Sequence, residues 1–289
     1  MDVDELVRPV SDLLSLPDAC LRANALLSDP TASMEEIGEV INYDPALTAK
    51  LLKIVNSAFY GMPSPIDTVT RAIMVIGTND LQALVLATSA VATFNQISTD
   101  LVDMEAFWHH SVFTALAAKH LAREAKVAQA ESIFVAALLH DVGKLILYQE
   151  LPDQSQQVLE RCADVPVQQA EVEREILGFD HGDVGAALLR VWKLPENLIE
   201  PIKFHHQPQL SKRFPKETSL VHLANAIAHT VEPGIKAEID KVTAVKAIEP
   251  LAWQETGLSM EVITPTVHTV NLQSFELLEI IAPTSLLIL

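Results

Sequence analysis

Ala136-Ala137-Leu138-Leu139-His140-Asp141-Val142-Gly143-Lys144 is the stretch on which the reading of this chain turns. An apolar run suited to a buried helix ends abruptly in an imidazole and a carboxylate side by side, and a glycine and a lysine follow at once. An unpaired imidazole or carboxylate in a core costs several kcal/mol or forces a pKa shift. The pair is therefore either hydrogen-bonded as a structural feature or bound to a divalent metal with help from elsewhere.

Outward from this stretch the chain reads as helices separated by proline and glycine stops. Residues 10–30 read as one helix, stopped by Asp29-Pro30. Ser33 and Glu36 have capping-box spacing and open a helix through Ile37, Val40 and Ile41. Asp44-Pro45 offers an N-cap and a first-turn proline to the next, which carries Leu47, Leu51, Leu52, Ile54 and Val55 and ends at Gly61. Gly61-Met62-Pro63-Ser64-Pro65-Ile66 is an extended loop. Helices from about Thr68 to Ile76 and from about Asp80 to Phe94 flank Gly77, and the polar stretch 95–104 is a candidate hinge. Beyond it, Phe107, His110, Phe113, Thr114 and Ala117 share one helical face. The helix bearing His140 begins near Ala130, and others cover 154–163, 166–177, 180–192 and 194–206. A helix from Ser219 to about Val231 places His222, Asn225 and His229 on one face. Two or three helices are expected in 238–289, and the apolar end Ser285 to Leu289 either tucks against the domain or a neighbouring subunit or is loose. The expected fold class is all-α.

Composition narrows the function. With 289 residues, 49% of them hydrophobic, there is material for a substantial core, and only 9 glycines against abundant Ala, Leu and Glu favour helices. A net charge of −18 with no Lys/Arg-rich run argues against nucleic acid and against anionic membranes as partners. Cys20 and Cys162 lack metal or redox spacing and read as reduced thiols. The acidic start Met1-Asp2-Val3-Asp4-Glu5 is unlike a signal sequence, and the longest uncharged stretch, around Ala83 to Phe94, is too short to span a bilayer. A soluble, cytoplasmic protein is expected.

The chain has ten histidines, unevenly distributed. His110, His140, His181, His205 and His206 fall at the ends of expected helices or on their apolar faces, and with Asp141 they form a set of imidazoles and one hard carboxylate. That mixture suits a divalent transition metal, Fe, Mn, Ni or Zn, better than Ca or Mg. Adjacent His205 and His206 serve one site only if their helix finishes there, as Pro208 allows. Asp180 and Asp183 flank His181, one as a helix cap and the other as a hydrogen-bond acceptor for a ligand histidine. Lys144 either neutralises a phosphate oxygen near the metal or is a solvated helix residue. His222 and His229 reach the same pocket or have core or surface roles, and His109, His120 and His268 read as structural or exposed.

Leu138-Leu139-His140-Asp141-Val142-Gly143-Lys144 resembles the signature of the HD superfamily of metal-dependent phosphohydrolases. Asp44-Pro45-Ala46-Leu47, Asn56-Ser57-Ala58-Phe59-Tyr60-Gly61, Phe107-Trp108-His109-His110-Ser111 and Gly178-Phe179-Asp180-His181 look like one branch of it, the HDOD or HD-related output domain, over roughly residues 10–230. The resemblance implies an N-terminal helical bundle (1–97) packed on an HD-like helical core (98–232), followed by a C-terminal helical extension (233–289). It also implies a bacterial signalling role, in which the HD core is a binding or output module rather than a proven enzyme, with a signalling protein or a small nucleotide-like ligand as partner. By the same resemblance His110, His140, Asp141, His181, His205 and His206 stand at metal-ligand positions of the catalytic relatives, with Asp141 and Lys144 as the catalytic candidates. Asn225 stands at the last metal-ligand position, where the pattern departs because catalytic relatives carry Ala-Asp in place of Ala224-Asn225; the Gly-Tyr-Pro beside His205-His206 is also missing. The alternative to a binding module is a metal-dependent phosphohydrolase or phosphodiesterase acting on a nucleotide or cyclic dinucleotide, in which metal-activated water attacks phosphorus.

Overall fold

The protein, a computed structural model, is described over residues 2–97, 99–128, 130–162, 169–230, 246 and 248–281. No strand occurs among the described residues, so the fold is all-α as expected. The apolar end Ser285 to Leu289 lies outside the described residues.

The chain opens with α1 (Val3–Leu13) and α2 (Asp18–Leu27), two helices where one was expected. Pro17 is the reason. Proline biases the residue before it away from helical geometry, and Pro17 itself is the N-cap of α2 at φ −52°, ψ 143°. Helices α3 (Met34–Asn42) and α4 (Pro45–Val55) start as their caps dictate: Ser33 and Glu36 close a capping box, and Asp44 accepts from the amides of Ala46 and Leu47. The loop after α4 is pinned by Asn56, whose Nδ2 donates to the carbonyls of Leu52 (2.8 Å) and Ile66 (2.7 Å) while Oδ1 accepts from the amide of Ile66 at 2.7 Å. Phe59 and Tyr60, in the same loop, pack against the core.

Helix α5 (Val69–Phe94) is two helical segments joined at Gly77, which adopts φ 85°, ψ 168°. Together they make a helix long and apolar enough by composition to cross a bilayer, which the shorter stretch from Ala83 alone did not suggest; 56% of its most apolar window is buried inside the fold. Asn95, in the expected hinge, is tied to the next helix, α6 (Met104–Glu124), by a 2.7 Å hydrogen bond from Trp108 Nε1 to its Oδ1.

Next come α7 (Ala130–Leu138), α8 (Val142–Glu150), α9 (Pro152–Cys162), α10 (Gln169–Leu177), α11 (His181–Val191) and α12 (Glu196–Phe204). The last described helices are α13 (Pro215–Ala228), α14 (Pro250–Thr256) and α15 (Ile263–Ile281). Side chains from all three expected segments share one hydrophobic cluster, from Leu6 of α1 through Leu138 and Leu189 to Ile281 of α15. The ends are stitched to the middle by polar contacts too: Trp192 Nε1 donates to the carbonyl of Leu14 at 2.7 Å, and Glu276 Oε2 accepts from the amide of Ala58 at 2.9 Å. Cys20 and Cys162 are free and buried.

Two glycines set the spacing of the helices that carry the histidines. A Cβ on Gly143 of α8 would lie 1.9 Å from the carbonyl oxygen of His181 and 2.8 Å from the amide of Gly185. A Cβ on Gly182 would lie 2.8 Å from the carbonyl oxygen of Lys203. Only glycine lets α8, α11 and α12 approach this closely, and that approach brings Asp141, His181 and His205 together.

Candidate metal centre

The six side chains expected to converge do so, though they come from four places in the chain. His110 projects from the second turn of α6. His140 and Asp141 occupy the turn between α7 and α8, His181 is the first residue of α11, and His205 caps the C-terminus of α12. The helix ends at Phe204, so His206 leaves its path and its ring lies 4.0 Å, centroid to centroid, from that of His205. His110, His140, Asp141, His181 and His205 are buried, and His206 is half-buried.

Asp141 is the hub. Its Oδ1 lies 3.1 Å from His181 Nε2 and 3.8 Å from His205 Nε2, while its Oδ2 lies 3.4 Å from His140 Nε2 and 3.7 Å from His110 Nε2. The imidazole nitrogens face one another: His110 and His140 Nε2 are 3.3 Å apart, His181 and His205 Nε2 3.3 Å, and His181 and His206 Nε2 2.9 Å. Two donor groups result, Asp141-His181-His205-His206 and His110-His140-Asp141, with Asp141 in both.

The backbone decides which nitrogen of each ring faces inward. His140 Nδ1 donates to the carbonyl of Ala137 and His205 Nδ1 to that of Ile202, both at 2.7 Å. In a neutral imidazole the other nitrogen then carries a lone pair, so both rings turn an acceptor to the centre. His181 Nδ1 faces Glu173 Oε2 at 2.6 Å, and its backbone amide donates to the same oxygen at 2.8 Å. The Nε2 lone pairs of His140 and His205 face the Asp141 carboxylate at 3.4 and 3.8 Å with no proton between them, and a cation relieves that repulsion. Orphaned atoms agree: Asp141 Oδ1 makes no sound hydrogen bond, and Asn225 Oδ1 is buried with no hydrogen-bond partner. The residues present fit a divalent transition metal.

Electrostatics separate the rings. Burial pushes His140 down to about 3, and burial with neighbouring imidazoles holds His205 and His206 well below the usual histidine range. Burial also works against a charged His181, but the Glu173 carboxylate outweighs it and raises His181 to about 9. Burial opposes ionisation of Asp141, yet His140 and Lys144 beside it hold its carboxyl well below the carboxylate range.

Lys144 is not a solvated helix residue. It is buried, its Nζ donates to Asp141 Oδ2 at 2.7 Å, and that carboxylate keeps it charged against the cost of burial. Asn225 sits on α13 one turn before His229, whose ring is 4.6 Å from that of His110. His222 is a strut, its Nδ1 donating to the carbonyl of His205 at 2.7 Å and its Nε2 accepting from the amide of Glu249 at 3.0 Å. His268 is exposed, and His109 and His120 are partly buried along α6.

The acceptor behind His181 is a correction. Asp180 and Asp183 cap each other across the first turn of α11 in a capping box. Glu173 of α10, buried at 1% exposure, takes the imidazole instead. Its sequence signal was a glutamate beside Ala170 and Ile176 on the inward side of a polar helix.

The HDOD domain family model matches residues 13–208. The chain belongs to the HDOD family. Its structure is similar to that of an HDOD domain protein of unknown function from Geobacter sulfurreducens, at 21% identity and a TM-score of 0.75, covering 96% of this chain and 99% of that one. A candidate phosphohydrolase from Shewanella amazonensis gives 22% identity and a TM-score of 0.76, covering 96% and 98%. At these identities the likeness shows the HDOD fold. An uncharacterized protein of Treponema pallidum is 28% identical over 221 residues, 75% of this chain, which spans 42% of that relative's length.

Proposed function

We propose that this HDOD protein is a metal-holding binding and output module of bacterial signal transduction, acting through a partner protein or a small nucleotide-like ligand. The observation that carries the reading is the inward set of acceptors: Nε2 of His140 and His205, fixed by backbone hydrogen bonds, facing the two oxygens of Asp141. His181, His205, His206 and Asp141 Oδ1 make the stronger half, with Glu173 orienting His181 from behind. His110, His140 and Asp141 Oδ2 make a second half that already shares its oxygen with Lys144. Asn225 contributes a neutral oxygen where a carboxylate would bind and orient more strongly.

A second reading, a metal-dependent phosphohydrolase, is favoured by the sharing of Asp141 between two donor groups. A metal bound there would supply Lewis acidity and an activated water. Lys144 would hold Asp141 in place, and Glu173 would keep the His181 ring aligned.

The test is metal content of full-length protein purified without chelator and supplemented in turn with Mn, Fe, Ni and Zn. At least one ion per chain is expected, lost in His181→Ala and held more tightly in Asn225→Asp. Protein free of metal under every supplement would overturn the centre. With metal in place, turnover of bis-p-nitrophenyl phosphate or of cyclic dinucleotides would replace the output-module reading with the hydrolase; none is expected.

A further inference from the structure

A cavity of about 290 Å³ lies between the first helices and the HD-like core, away from the histidines. One wall comes from α2 and α5, the other from α7 and the start of α12. Its apolar lining is Leu86, Val135 and Leu198; its polar lining includes Asn79, Gln82, Asn197 and the carboxylate of Glu131. Gln82 Nε2 is committed to Asn24 Oδ1 and Ser28 Oγ, both at 2.8 Å, which leaves its carbonyl oxygen as its remaining function.

Behind Glu131 the charges do not balance. Lys119 of α6 is buried, with Nζ 3.8 Å from Glu131 Oε1 and 3.9 Å from Asp80 Oδ2. The ammonium also sits 4.2 Å from the centre of the Phe59 ring and 5.1 Å from that of Tyr60. Two carboxylates thus share one buried cation, and Arg123, exposed one turn further along α6, adds a charge screened by water. Glu131 keeps 22% of its side chain exposed and lines the cavity. What the cavity offers is a carboxylate with spare charge, an amide acceptor and an apolar wall.

We propose that this cavity is a second binding site of the protein, taking a small organic monocation: an ammonium or guanidinium group against Glu131 with a short apolar body against Leu86, Val135 and Leu198. The site joins the N-terminal helices to α7 and α12, and those two helices end at His140-Asp141 and at His205. The assignment is independent of the metal reading.

Isothermal titration of the full chain with n-pentylammonium, and with 1-pentanol and pentanoate as neutral and anionic controls of the same length, tests it. The amine is expected to bind one per chain and at least tenfold tighter than either control, with Glu131→Gln reducing it to the level of the alcohol. Equal binding of amine and alcohol, or an undiminished amine preference in Glu131→Gln, would overturn the site. Should Glu131→Gln fail to fold, Asn197→Phe adds bulk to the cavity from a half-buried lining position without touching the buried charges; amine binding that survives it overturns the site equally.

Discussion

Helix α7 has a buried charged group at each end, and the two are built differently. Near its start, Glu131 and Asp80 surround Lys119, a cation supplied by the chain and seated over the faces of Phe59 and Tyr60. Beyond its end, Asp141 is surrounded by five imidazoles, of which two are fixed with their lone pairs inward, and Lys144 answers only one of its oxygens. The first group has a cation of its own, one ammonium against two carboxylates. In the second, hydrogen bonds directed outward by His140 and His205 turn two imidazole lone pairs toward the Asp141 carboxylate. Both are buried polar clusters; the direction of each N–H tells a group built round a chain cation from one whose lone pairs suit a metal.

The largest way to break the comparison is to push α8 off α11. Gly143→Ala places a Cβ 1.9 Å from the His181 carbonyl oxygen, where backbone on both sides cannot yield. A loss of at least about 4 kcal/mol is expected in urea unfolding, with metal retention falling in whatever folds. Gly185→Ala is the control. Its Cβ would meet the Ile202 methyl at 3.3 Å, a contact a side chain can relax, and the expected cost stays below about 1.5 kcal/mol. Equal losses in the two variants would mean that Gly143 does not set the spacing.

Next comes the removal of each cation. Lys119→Met strands two largely buried carboxylates and should cost about 3–5 kcal/mol, most of it recovered when Asp80→Asn and Glu131→Gln are added. Lys144→Met leaves Asp141 to the proposed metal instead. Its cost should be clearly smaller than that of Lys119→Met in metal-loaded protein and should rise toward it after chelation. A Lys144→Met cost indifferent to metal would show that the two ends of α7 are the same kind of ion cluster.

How far the sequence foretold this contrast depends on the residue. The helix starts at Ser33 and Asp44 were legible because an N-cap is a local bargain between one side chain and the next few amides. The convergence of His110, His140, Asp141, His181, His205 and His206 came from the motif resemblance and was not derivable from spacing. Glu173 was missed because Glu171, Glu173 and Glu175 look alike in sequence, and only the packing of α10 decides that the middle one turns inward. Lys119 was overlooked although it ends the apolar run Ala115-Leu116-Ala117-Ala118, where a charge implies a buried partner. The join of α1 to α2 failed because Leu14 and Leu16 kept an apolar pattern running into Pro17.

The smallest effect concerns the pH response of the Lys119 group. Burial raises the Asp80 carboxyl to about 6, against the pull of Lys119. A carboxyl with a folded-state pKa above its unfolded value of 3.8 binds its proton more tightly when folded. Its contribution to stability is therefore fully present below the unfolded value and is lost as pH rises through the folded one. Parent protein should lose stability relative to Asp80→Asn between pH 5 and about pH 7, and the difference should level off above that range, as read from urea midpoints at each pH with chelator present. The trend would be opposite if the ammonium dominated, since a carboxyl held down by Lys119 would gain stability as pH rose. A flat or inverted difference curve would mean that Lys119 satisfies Asp80 fully, leaving no spare negative charge at the start of α7 for a ligand to answer.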